Sequence, residues 1–218
     1  MAGIIIFALV AVFLGLRLYS VLGKRTGHEQ GFGQAEETRV SSIPGAQLTD
    51  GVAEKPAQVA PVEPVAEAGA TAGLRAIGAA DRSFSPEGFV EGAGSAYRII
   101  LEAFWKGDLS EVDSFIAADV RDAFADVIAA RTAAGEVLDN RLIGIDRAVI
   151  SSASLEGGTA QIVVRFDADI AAVTRNSEGV VIAGSLTDAV PTHDAWTFSR
   201  EMRSSDPNWI LTDTDEAS

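Results

Sequence analysis

This 218-residue sequence predicts an α+β domain carried behind an apolar N-terminal segment and a polar linker. Three observations support that fold class. Residues Ile4 to Leu22 are almost wholly apolar. Between Ser85 and Ile128, large apolar residues recur at helical spacing. From Arg141 onward the pattern switches to two-residue alternation, the mark of half-buried strands. Helices first and antiparallel strands after them describe a curved sheet with helices packed on one face.

The apolar segment reads IIIFALVAVFLGLRLYSVL, with Ile4, Phe7, Phe13, Leu16 and Leu22 among its large side chains. As a helix rising 1.5 Å per residue it approaches the ~30 Å hydrocarbon thickness of a bilayer. Its Val, Ile, Leu and Phe residues together favour insertion by about 5 kcal/mol, against about 3 kcal/mol for Arg17 at worst. Arg17 lies toward one end beside Tyr19, where its head can snorkel to the interface. A cleaved signal peptide carries its positive charge before the apolar core, whereas here Lys24 and Arg25 follow it. Residues 1–23 therefore read as a single-span anchor. The positive-inside rule leaves Met1 outside and the following chain cytoplasmic, as in a bacterial inner-membrane protein.

Residues 24–82 read as a disordered linker. Pro44, Pro56, Pro61 and Pro64 are spaced by Ala, Val, Glu, Gln and Gly, and no aromatic residue occurs between Gly33 and Ser83. Such a segment buries too little apolar surface to offset its ordering entropy. A coil of about 55 residues reaches on the order of 40 Å.

The folded domain is expected over 83–218. Ser85, Pro86 and Glu87 supply an N-cap, a proline at the first helical position and an acid in the first turn. Phe89, Ala93, Tyr97, Ile100, Leu101, Phe104 and Trp105 then form one apolar face, and the helix ends near Lys106 and Gly107. A short helical piece is expected from Glu111 to Ile116. A further helix carries Val120, Phe124, Val127 and Ile128 and stops at Gly135. Arg141 to Leu155 reads as a strand, followed by a hairpin turn at Glu156, Gly157 and Gly158 and a strand alternating Ile162, Val164, Phe166, Ala168 and Ile170. Asn176 to Gly179 forms a second turn. Val180 to Ala183, the Trp196 and Phe198 pair, and Trp209 to Leu211 complete the β region.

A formal net charge of −14 without clustered Lys or Arg excludes a nucleic-acid partner. The absence of Cys removes thiol chemistry, Cys-bound metal and disulfides. No zinc-protease, serine-hydrolase or P-loop motif occurs, and neither a metal site nor a cofactor is expected. The enzymatic case rests on His193 beside Asp194. Neighbours on a strand point to opposite faces, so they form no dyad, and His193 is expected in a bulge or loop at Pro191. Tyr97, Phe104, Trp105, Trp196, Phe198 and Trp209 are the candidates for a pocket or partner surface, because aromatics supply most of the contact area in such sites.

The run FSPEGFVEGAGSAYRIILEAFWKGDL, the strand QIVVRFDADIAAVTR, then DAWTFSREM and DPNWILTDT closely resemble the Tim44-like domain family over 83–214. RLYSVLGKRTGHE after a span is similar to its membrane-anchored α-proteobacterial branch, the TimA-type adaptors. The resemblance implies a cystatin/NTF2-like fold around a hydrophobic pocket with no catalytic residues. It also implies an adaptor in protein transport, membrane-protein biogenesis or quality control, whose partner is a translocase, insertase or chaperone. A lipid or small hydrophobic ligand in the pocket, or pocket enzymology, is the alternative. The mitochondrial member's recruitment of an Hsp70 belongs to a charged N-terminal region that this chain replaces with a transmembrane helix.

Overall fold

The computed structural model describes residues 64–217. The expected anchor from Ile4 to Arg25, and the linker as far as residue 63, lie outside the described residues. Among the described residues no helix is long and apolar enough to cross a membrane.

Three α-helices and five strands make an α+β domain. The helices are α1 (Thr71–Ala80), α2 (Pro86–Lys106) and α3 (Ala118–Ala133). The strands are β1 (Val137–Leu138), β2 (Arg141–Glu156), β3 (Thr159–Arg175), β4 (Val181–Glu201) and β5 (Ile210–Glu216). All strand pairs are antiparallel. β3 is central, with β4 and then β5 on one side and β1 and β2 on the other.

The caps of α2 follow the sequence. Ser85 Oγ accepts the Gly88 N–H at 3.2 Å, Pro86 occupies the first turn, and Gly107 closes the helix in the left-handed region at φ 80°. Arg131 of α3 also donates to the carbonyls of Phe104 at 2.5 Å and Trp105 at 3.0 Å, and its guanidinium lies 5.0 Å from the Phe104 ring centre. One cation thus satisfies the end of α2 and fixes the residues that border the pocket described below.

Long strands cannot stay flat, because the right-handed twist accumulates along them. β2 slips register against β3 at Leu142/Gly144, Ile145/Arg147 and Ile150/Ser152, and β3 slips against β4 at Ile170/Ala172. These bulges curve the sheet. α2 and α3 pack on the inner face, burying Tyr97, Ile100, Phe104 and Phe124 against Ile162, Val164, Phe166, Trp196 and Phe198.

Three expectations are corrected. The folded unit begins before residue 83. Val65 and Glu67 hydrogen-bond across Ile150 on the outer edge of β2, and α1 follows, with Ala70 and Ile77 fully buried in the core. Residues 111–115 form consecutive turns and no helix. β4 is one continuous strand of 21 residues from Val181 to Glu201, where two separate stretches were expected.

Each sheet edge is covered at one point. On the far edge, Ala117 N–H donates to Leu211 O and Leu211 N–H to Phe115 O, each at 2.8 Å. Short parallel bridges on β2 and β5 use backbone groups that would otherwise invite strand addition.

Candidate functional site

Strand parity determines which β4 side chains reach the helices. Trp196 and Phe198 point inward and are buried, so Asp194, two residues earlier on the same face, points inward as well. Its Oδ2 accepts the Tyr97 hydroxyl at 2.5 Å. Tyr97 is fully buried, stacked 4.4 Å from the Phe166 ring and 4.7 Å from Trp196, and its hydroxyl is satisfied by that carboxylate, with the Thr192 side chain also within reach.

Above this pair lies a pocket of about 140 Å³. Leu101, Phe104, Trp105, Phe124 and Trp196 give it apolar walls. Asp194 sits among them, with Thr192 and Asn140 nearby, and Ile170 and Ala172 of β3 and Thr214, Asp215 and Glu216 of β5 complete the lining. Burial raises the Asp194 carboxyl above its ordinary value. The Tyr97 hydrogen bond opposes that rise, and the neighbouring Glu216 charge adds to it. Tyr97 is pushed far above the usual phenol range, first by burial and then by the Asp194 charge.

A second, wider groove of about 500 Å³ runs beside the first half of α2. Phe84, Phe89, Phe115, Phe198 and Trp209 line it. Phe89 meets Trp209 edge-on at 4.8 Å and Phe198 edge-on at 5.8 Å. At one end Arg200 Nη2 donates to Asp81 Oδ2 at 2.5 Å, and Arg200 stacks over Trp209 at 5.4 Å. Hydrogen bonds from Ser83 and then Arg200 lower the Asp81 carboxyl to about 2.

The six aromatic candidates therefore divide between two places. Phe104, Trp105 and Trp196 line the pocket, and Tyr97 lies beneath it. Phe198 and Trp209 line the groove. Only Trp105 and Trp209 remain partly accessible, and the other four are buried.

His193 faces neither concavity. It lies within β4, opposite Asp167, with Nδ1 2.7 Å from Asp167 Oδ1 on the outer sheet face. The register irregularity lies just before Pro191, where Ile170 faces Val190 while Ala172 faces Ser185, so residues 186–189 bulge from the ladder and His193 sits beyond them in regular pairing. His193 O accepts Ala217 N–H, so its backbone faces the β5 side, and Pro191 two residues earlier faces the same side beyond the described end of β5. Asp169 and Asp167 share the outer face with His193. Among the described residues no group of three or more His, Asp or Glu is placed to hold a metal.

A curved antiparallel sheet closed by helices, with an inward carboxylate held by a tyrosine beneath a small pocket, defines a domain of the α+β class. Residues 70–216 match the Tim44-like domain, and the chain belongs to that family. No curated protein matches the chain. Among solved structures, the intermembrane space region of the chloroplast protein ARC6 is similar at 16% identity, over 59% of this chain and 97% of that one, with a TM-score of 0.41.

Proposed function

We propose that this chain is a membrane-tethered, non-catalytic adaptor acting in protein translocation, membrane-protein biogenesis or quality control. The family match over residues 70–216 is the observation that carries this reading, since Tim44-like domains are generally non-catalytic and mediate protein or membrane interactions. The site agrees with it. Tyr97 and Asp194 satisfy one another, and His193 with Asp167 and Asp169 face away from both concavities. On this reading residues Ile4 to Leu22 anchor the chain in a bacterial inner membrane, with the domain on the cytoplasmic side. The fold is of the cystatin/NTF2-like kind, and the branch is the TimA-type.

Proximity labelling from the C-terminus in the native membrane, checked by pulldown in mild detergent, tests the reading. Recovery of a translocation, insertion or chaperone complex that is lost when residues 64–218 are deleted and the anchor kept is the expected result. A second reading, a lipid or small apolar ligand in the aromatic groove, is favoured by the size of that groove, which lies within the range of small-molecule sites. Stoichiometric lipid with no protein above background would establish it in place of the adaptor.

A further inference from the structure

We propose that the pocket above Tyr97 and Asp194 receives a lysine side chain from a basic segment of a partner protein. The inference rests on the adaptor reading and names the chemistry of its contact.

Size is the first argument. At about 140 Å³ the pocket is well below the several hundred Å³ that small-molecule sites enclose, and it matches a four-carbon stem with an ammonium head. Its walls are the second. Leu101, Phe104, Trp105, Phe124 and Trp196 line it with apolar and aromatic surface for the methylenes.

Charge selects the occupant. Asp194 gives one oxygen to Tyr97, and among the described residues its other oxygen takes no hydrogen bond. Glu216 stands directly opposite Asp194 in the β4–β5 register, and Asp215 is its neighbour in the lining. The charge of His193, the next residue along β4, acts on Asp194, but among the described residues no Lys or Arg forms an ion pair with any of the three. The chain as a whole carries −14, which draws cations toward the site and repels anions. A phosphate, a carboxylate or an anionic headgroup would meet only like charge here. An ammonium would pair Asp194 and Glu216 together while its stem covers the aromatic walls. A point-charge head with three rotatable donors suits two separate carboxylates, whereas a guanidinium needs a planar fork.

The test uses the full chain in detergent and a short Gly/Ser peptide bearing one lysine, followed by isothermal titration calorimetry. A second peptide carries acetyl-lysine, which keeps the stem and removes the charge. Binding of the lysine peptide, weakened at least tenfold by acetylation and equally by Asp194→Asn or Glu216→Gln, is expected. Asp188→Asn, on the exposed far part of β4, leaves it unchanged. Asp194→Asn keeps an oxygen for the Tyr97 hydroxyl, so loss of binding in that variant cannot be laid to unfolding, and circular dichroism confirms this. Equal binding of the acetylated peptide, no binding at millimolar concentration, or binding indifferent to Asp194→Asn overturns the proposal. Each of those outcomes leaves the adaptor reading to its own pulldown. Recovery of a partner with a silent pocket would mean that contact is made elsewhere on the domain.

Discussion

Tyr97 and Asp194 hold each other in place, and the balance between them makes a pH-dependent prediction. Burial raises the Asp194 carboxyl in the folded chain above its ordinary value of 3.8. As pH climbs from there toward the raised value, the unfolded chain has already lost its proton and the folded chain has not. Stability therefore falls across that window and stays lower above it. Tyr97→Phe removes a hydrogen bond that favours the charged form. It should cost about 1–3 kcal/mol at neutral pH and less as pH is lowered through the window, read from urea titrations at several pH values. Asp194→Asn keeps an acceptor and removes the buried charge, so it should be more stable than the parent at neutral pH, with no such pH slope. A gain of stability there, set beside a loss of binding, is the trade expected of a functional residue. The sequence contained the signal for Asp194 in strand parity, because an inward Trp196 implies an inward Asp194. Weighing Asp194 only as a partner of His193 hides it, since parity separates those two.

Elements with strong local punctuation were legible, and those that depend on tertiary cover were not. Ser85, Pro86 and Gly107 bracket α2, and the alternation from Ile162 to Ile170 marks β3, since its two faces differ in polarity. Helix α1 is not legible in the sequence because TAGLRAIGAA offers only Leu74 and Ile77 as large apolar residues and follows a proline-rich stretch. Its place comes from the edge of β2. A Cβ on Gly73 would run into the backbone carbonyl of Ala153, while one on Gly78 would meet nothing. Gly73→Ala should therefore destabilise the domain by about 1–3 kcal/mol through forced separation of α1 from β2. Gly78→Ala, in the same helix, should stabilise it by roughly 0.5–1 kcal/mol by helix propensity alone. Denaturant midpoints of the two variants moving in opposite directions would establish α1 as a packed element. A chain cut at Ser83 should lose Ala70 and Ile77 from the core and bare the β2 edge. It should then melt lower and associate, whereas a chain cut at Pro64 should match the parent in thermal melts and remain monodisperse on gel filtration.

At the scale of the whole molecule, the start of the folded unit near Pro64 shortens the proposed leash to the 40 residues from Lys24 to Glu63. Treated as a flexible coil, a segment of that length reaches on the order of 35 Å, and short flexible linkers give local concentrations of order mM. A contact no tighter than that suffices for a tethered adaptor, in keeping with a pocket that takes a single side chain. Deleting Met1 to Arg25 should leave the melting temperature of the domain unchanged and abolish recovery of the membrane partner, because the contact falls back to its bulk affinity. Doubling the leash should matter far less. Effective concentration falls roughly as the −3/2 power of length, so the expected loss is about threefold, within reach of quantitative proximity labelling. A loss of tenfold or more on doubling would mean that the segment positions the domain rigidly against its partner. The pocket's orientation toward the membrane, more than its affinity, would then decide what it can bind.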